Sequence, residues 1–219
     1  MNKGNVIMEK QAFSQEQMMD LLDKCYSVAV NGLPGSKSCE KLAEEYLNKY
    51  QDRELAAKKM IDVQVAKCTT SGFVTSLGGL ITLPVAIPAN VASVLYVQIR
   101  MIGTLAVMGG YDLNDDEVQT LVYLSLVKSS VADVCKSAGV QVANKVTMNL
   151  LKKLPGTVLT KINQKVGFRL VTKFGEKGVV NLVKIVPVAG GIVGGGVDFI
   201  GTKAIGNRAY KTFLLGVIE

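Results

Sequence analysis

The chain has 219 residues, of which 48% are apolar and 20% are charged, and its mean hydropathy is +0.28. So much apolar surface can build a buried core and excludes an intrinsically disordered chain. Histidine and tryptophan are absent, which excludes a Ser-His-Asp triad, a Cys-His nucleophile and imidazole metal ligands. We therefore expect a protein that is not an enzyme and holds neither a metal nor a cofactor.

The cysteines give no sign of a metal site. They are Cys25, Cys39, Cys68 and Cys135, and no two of them form a CxxC pair. This spacing disfavours zinc and indicates reduced, mostly buried thiols. The first residues also lack the apolar segment of a signal peptide, so we expect the bulk of the chain to be cytoplasmic.

The first 67 residues predict ordinary amphipathic helices of the soluble type. Ser14 can cap a first helix that runs to Val30, and the glycines and proline of residues 31–36 stop it. Further helices are predicted over 38–50 and 52–68. The segment Gly32–Ser38 is close to a phosphate-binding loop, but it lacks the GxxxxGK[ST] spacing and no strand precedes it. We therefore do not interpret it as a nucleotide site.

The chain then changes character, because residues 68–99 contain no charged side chain. The length would allow a membrane span, but glycines, prolines and hydroxyl residues interrupt the segment. We predict a helix–turn–helix over about 69–80 and 88–109, buried in a globular core. Interfacial insertion and a true span are the alternatives.

The next helix has a predicted start at Asn114, which stands three residues before Glu117 in a capping-box pattern. Apolar residues from Leu121 to Val131 predict that most of this helix is buried. Gly139 predicts a break before a further helix that runs to Lys153.

Positive charge is concentrated in the last part of the chain. Residues 136–219 carry 13 basic and 3 acidic side chains, which points to an anionic partner. A predicted helix over about 158–174 places a cation every four residues beside an apolar row (Ile162, Val166, Leu170, Phe174). The cations are Lys161, Lys165, Arg169, Lys173 and Lys177. Such a helix can attach to anionic lipid. A solvated outer face packed on the core and, less favoured, a nucleic-acid surface are the alternatives.

A glycine-rich run, residues 187–198, follows this helix. Gly190 and Gly194 stand in GxxxG register, as do Gly191 and Gly195. This spacing predicts close helix packing, in a tight bundle or in a membrane assembly. It does not predict a dinucleotide site, since no strand–helix–strand pattern surrounds it.

The order of several short motifs resembles that of the bacterial EcsC family over roughly residues 35–213. The motifs are Gly78-Gly79, Leu83-Pro84, Gln98-Ile-Arg100, Tyr111-Asp112, Pro187 with the glycine-rich run, and Ala209-Tyr210. The resemblance implies a helical fold, a bacterial origin and a link to the envelope or to transport, but no catalytic residues. It also implies family-like polar positions at Gln98, Arg100, Tyr111, Asp112 and Asp198, although the family usually has Asp at 90 and Asn at 198.

Arg100 lies between apolar segments and so needs a partner or access to solvent. We expect it to pair with Asp112 or Asp198. The pair could lock the bundle or form the polar floor of an apolar cavity.

Together these patterns predict a single all-α domain over 1–219, in which residues 68–219 form an apolar, glycine-rich core behind the N-terminal helices. We expect a bacterial protein peripheral to the inner face of the membrane, attached through the basic helix, with a membrane-perturbing or transport-linked role. The alternative is a soluble carrier or sensor of an apolar ligand such as a lipid or quinone.

Overall fold

The computed structural model describes residues 13–32, 35–69, 87, 89–141, 146–174 and 193–218; of residues 69, 89–90 and 193–200 it describes the backbone only. Within these residues the chain forms nine helices and no strand, which confirms the predicted all-α fold. In chain order they are α1 (Gln15–Asn31), α2 (Cys39–Lys49), α3 (Arg53–Thr69), α4 (Ala89–Met108), α5 (Asp116–Ser125), α6 (Val131–Ser137), α7 (Met148–Leu151), α8 (Gly156–Phe174) and α9 (Val193–Leu214).

The first three helices begin and end where local signals predict. Ser14 Oγ accepts a hydrogen bond from the Gln17 amide at 3.1 Å, and Gln17 Oε1 accepts one from the Ser14 amide at 2.7 Å. This capping box satisfies two of the donors that a helix start leaves without partners. α1 ends at Gly32, whose φ of 81° lies in the left-handed region that favours glycine. The predicted bounds of these helices agree with the structure to within about two residues.

α4 is the central helix of the fold. It contacts α1, α2, α3, α5 and α9, and Leu95, Ile102 and Leu105 on it are fully buried. Residues 91–108 are long and apolar enough to span a bilayer by length and composition (mean hydropathy 1.6), but 89% of them are buried within the protein. α4 agrees with the second helix of the predicted hairpin, and its burial favours the core interpretation. The first, over 69–80, lies outside the described residues apart from its first position.

The segment after α4 differs from its prediction in two ways. The cap of α5 is Asp115 and not Asn114, because Asp112 Oδ1 accepts hydrogen bonds from the Asn114 amide and side chain, both at 2.8 Å. This local turn holds Asn114 outside the helix. The single helix predicted from 114 to 131 is also interrupted after Ser125, and α7, before Lys153, has only four residues.

Glycines bring α9 and α8 close to their neighbours. A Cβ added at Gly206 of α9 would lie 2.8 Å from Ile61 Cγ2 of α3 and 3.1 Å from Met101 Sδ of α4. A Cβ added at Gly167 of α8 would lie 2.7 Å from Met19 Sδ of α1. The glycines predicted to mediate packing are different ones. Gly78, Gly79, Gly190 and Gly191 lie outside the described residues. Gly194 and Gly195 lie in the first turn of α9, where the structure describes the backbone only. That prediction stays open.

Candidate functional site

α8 is held to the rest of the protein by its apolar row. Ile162, Val166 and Leu170 are fully buried, and the helix contacts α1, α5 and α6. The close approach of Met19 to Gly167 adds a further contact with α1. The apolar row is therefore part of the protein's own core and is not offered to a lipid phase in this fold.

The opposite side of α8 carries two exposed cations and an exposed aromatic ring. Lys161 and Lys165 are exposed, and the side chain of Phe168 is 57% exposed. Phe168 follows Lys165 by three residues and Lys161 by seven, spacings that put all three on one side of a helix. We call Lys161, Lys165 and Phe168 the basic face of α8.

Acidic side chains do not neutralise this face. The sequence contains no aspartate or glutamate between Asp133 and Glu176. Within the described part of the chain, no carboxylate oxygen lies within 4 Å of the side-chain nitrogens of Lys161, Lys165 or Arg169. The positive potential of α8 is therefore directed to solvent.

Arg169 and Lys173, two more of the predicted cations, lie off this face because the row winds around the helix. Each step of four residues advances about 40° beyond a full turn, so Arg169 and Lys173 lie progressively further round. Arg169 is half-buried, and Lys173 places its Nζ 4.7 Å from the centre of the Phe174 ring. Lys177 lies outside the described residues. Phe168 was missed as a candidate, although its position opposite the apolar row could have been read from the helical spacing.

The family-like polar positions do not converge on one site. Gln98 is buried and donates from Nε2 to Thr202 Oγ1 at 2.9 Å, a bond that joins α4 to α9. The Tyr111 ring packs edge-on against Phe213, with ring centres 5.4 Å apart. Asp112 is exposed, and its hydrogen bonds from Asn114 hold the pKa of its carboxyl below the usual range. Gln98 and Tyr111 join α4 and the turn after it to α9.

The predicted pairing of Arg100 with Asp112 is wrong. Arg100 is 4% exposed, and its Nε donates to the carbonyl oxygen of Lys37 at 3.0 Å. Asp112 cannot serve as its partner because the carboxylate is exposed and engaged with Asn114. The side chain of Asp198 lies outside the described residues, so the alternative pairing stays a prediction.

A cavity of about 330 Å³ lies between α1, α5 and α8. Beside it, Asp23 Oδ1 accepts a hydrogen bond from the Tyr123 hydroxyl at 2.7 Å, and burial, reinforced by this carboxylate, raises the pKa of Tyr123. The polar side chains that line the cavity are Asp23, Asp116, Gln119, Thr160, Asn163 and Gln164. Such a lining suits a polar molecule or water better than the lipid or quinone of the predicted carrier.

The buried cysteines are poor nucleophiles, which gives a testable pattern of thiol reactivity. Burial raises the pKa of Cys25 and of Cys39 to about 12 and that of Cys135 to about 11. At pH 8 the fraction of each of these cysteines in the reactive thiolate form is then on the order of one in a thousand or less. We expect a colourimetric thiol reagent to modify the half-buried Cys68 first, and the other three only at the rate of unfolding.

Peptide mapping after a short labelling pulse identifies the modified residue, and labelling in urea provides the control in which all four thiols react. Rapid modification of Cys25 or Cys39 in the native protein would contradict their burial.

The fold and the basic face define a helical-bundle protein with a cationic outer surface on α8 and no metal-binding group of three or more acidic or cysteine side chains within the described residues. The chain belongs to the EcsC protein family, whose match covers residues 5–215. This confirms the resemblance and extends it toward the N-terminus. Neither the curated proteins nor the solved structures contain a match.

Proposed function

We propose that this protein attaches peripherally to an anionic membrane surface through the basic face of α8. The observation that carries the proposal is the exposed Phe168 on the same side of the helix as the exposed Lys161 and Lys165, on a helix with no acidic residue. Lysine and arginine near an anionic leaflet contribute about 1 kcal/mol each. An aromatic ring that enters the headgroup region adds apolar contact that water cannot provide.

Attachment in this form leaves the core intact. The apolar rows of α4 and α8 are buried against other helices, so only Phe168 on α8 meets the acyl boundary. Binding is then shallow, reversible and sensitive to salt, because screening weakens the attraction between the lysines and the lipid phosphates. Insertion of the hairpin, in contrast, would require α4 to leave the contacts it makes with five other helices.

Flotation of the purified protein with vesicles tests the proposal. We expect flotation with phosphatidylglycerol vesicles at low salt, release at about 0.5 M salt, and none with phosphatidylcholine. The variant with both charge reversals, Lys161→Glu and Lys165→Glu, should no longer float. Phe168→Ala should weaken binding about tenfold.

Matched variants separate this face from a general charge effect. Lys59→Glu with Lys128→Glu changes the net charge equally at two exposed positions elsewhere, and Leu55→Ala removes another exposed apolar side chain. We expect these controls to float like the wild type. The proposal fails if no anionic vesicle binds the protein, if both double reversals weaken flotation equally, or if binding resists salt and alkaline washing, which would indicate insertion.

A further inference from the structure

The cavity between α1, α5 and α8 lies beside the basic face of α8. Thr160 and Gln164 line it from α8, and both are exposed. Gln164 follows Lys161 by three residues and precedes Phe168 by four, and residues at these spacings are neighbours on a helix surface. A ligand that contacts Lys161 and Phe168 therefore reaches the cavity past Gln164.

Two carboxylates line the cavity from the other two helices. Asp23 of α1 is held in place, because its Oδ1 accepts from the Tyr123 hydroxyl at 2.7 Å, and that hydroxyl accepts from Gln119 Nε2 at 2.9 Å. Asp116 is the first residue of α5. Within the described part of the chain, neither Asp23 Oδ2 nor the Asp116 carboxylate accepts a hydrogen bond or joins an ion pair. These oxygens are available to a ligand that brings donors.

The lining combines these acceptors with amide groups. The Gln164 side chain makes no hydrogen bond to the residues that the structure describes, so its N–H donors are available. Asn163 also lines the cavity, and its Oδ1 is buried without a hydrogen-bond partner. An acceptor in this state is costly, and a ligand donor satisfies it once the carboxamide turns toward the cavity.

A hydroxyl group fits this lining better than an ammonium group does. A hydroxyl donates to a carboxylate and accepts from an amide, whereas an ammonium group only donates and leaves the Gln164 N–H groups without an acceptor. Lys161 and Lys165, beside the cavity, also repel a cation. The volume of about 330 Å³ has room for roughly ten waters, and hence for a short polyol.

We propose that the cavity binds the glycerol group of a phosphatidylglycerol headgroup. The glycerol hydroxyls donate to Asp23 and Asp116 and accept from Gln164, and the adjoining phosphate lies by Lys161. Phe168 enters the boundary region of the acyl chains, as in the proposed attachment. The inference rests on that attachment and adds a choice among anionic lipids, since charge alone does not distinguish lipids that carry the same net charge.

Three anionic lipids with the same net charge separate the effect of the headgroup from that of the charge. Phosphatidylglycerol carries hydroxyls, phosphatidylethanol carries none, and phosphatidylserine carries an ammonium group and a carboxylate. Each is mixed at the same mole fraction with phosphatidylcholine, and binding of the full chain is measured by vesicle titration at fixed ionic strength. We expect phosphatidylglycerol to bind at least about tenfold more tightly than either of the others, because only its hydroxyls match both the carboxylates and the amide of the cavity.

Gln164→Ala and Asp116→Ala test the cavity itself. Both positions are exposed, so these changes leave the core intact, and each should bring the affinity for phosphatidylglycerol to within about threefold of that for phosphatidylethanol. The ratio of the two affinities is the readout, because loss of an acidic side chain strengthens the attraction to every anionic lipid. Asp133→Ala is the matched control and should keep the wild-type ratio. Asp133 is an exposed carboxylate in the first turn of α6, as Asp116 is in α5, and it lies outside the cavity lining.

The outcomes separate this inference from the proposed attachment. Equal binding of phosphatidylglycerol and phosphatidylethanol overturns the inference and leaves the attachment standing. The same holds for a ratio that survives both cavity variants, or one that Asp133→Ala lowers as much as Asp116→Ala does. Tighter binding of phosphatidylserine would show that the cavity takes an ammonium group and not a polyol. If none of the three lipids binds, the attachment fails and the inference fails with it.

Discussion

Replacing Gly109 by alanine is expected to lower the free energy of unfolding by about 3 kcal/mol or more. Gly109 directly follows α4, and a Cβ there would lie 2.2 Å from the carbonyl oxygen of Phe213 and 3.0 Å from its carbonyl carbon. These are backbone atoms of α9, so no rotamer change can relieve the overlap. The ends of α4 and α9 must separate, and the contact between the Tyr111 and Phe213 rings separates with them.

Urea denaturation followed by circular dichroism measures this effect, with Gly201→Ala as the control. Gly201 lies within α9, and a Cβ there would meet nothing within 4 Å. Alanine is the better helix former, so this control should gain about 0.5–1 kcal/mol. If the two substitutions shift stability in the same direction, the close contact between α4 and α9 does not exist in solution.

Replacing Ile162 by alanine is expected to cost about 2–5 kcal/mol of stability, whereas replacing its exposed neighbour Lys165 should cost less than about 0.5 kcal/mol. Ile162 is fully buried, so the smaller side chain leaves a cavity in the core beneath α8. The contrast decides whether the apolar row of α8 faces the protein core or a lipid surface.

Denaturation and vesicle flotation of the same two variants make the distinction. A core role predicts that Ile162→Ala lowers stability and that the fraction still folded at low temperature floats normally. The opposite pattern, unchanged stability with lost flotation, would mean that the apolar row faces lipid and that the basic face is not the attachment surface.

Local signals in the sequence were sufficient for the first three helices and for the central one. Serine caps and the glycine turn after Asn31 act within a few residues, so their effects can be read directly. The start of α5 shows the limit of such signals. Asn114 and Asp112 both form local hydrogen bonds readily. In the structure Asn114 donates to the Asp112 carboxylate and does not cap the helix. Two competing local motifs differ by too little energy for the pattern alone to choose.

The partners of polar side chains across the fold could not be predicted. Arg100 was expected to find a carboxylate, yet its hydrogen bond goes to the carbonyl of Lys37, 63 residues away in the chain. Every residue carries a carbonyl, so a backbone acceptor leaves no trace in the sequence. The bond between Gln98 and Thr202 depends likewise on how α4 and α9 meet. The exposed position of Phe168, in contrast, follows from helical spacing.

The packing of α9 on α4 fixes an order of events during synthesis. α4 ends at Met108 and α9 begins at Val193, so a ribosome makes the apolar helix roughly 5–20 s before the helix that covers it. During that interval α1, α2 and α3 can already pack on residues 91–108, a segment with the length and hydropathy of a membrane span, but the side that α9 covers stays exposed. Once α9 docks, 89% of this segment is buried within the protein, so its α9-facing side is open to other molecules only while the chain is unfinished.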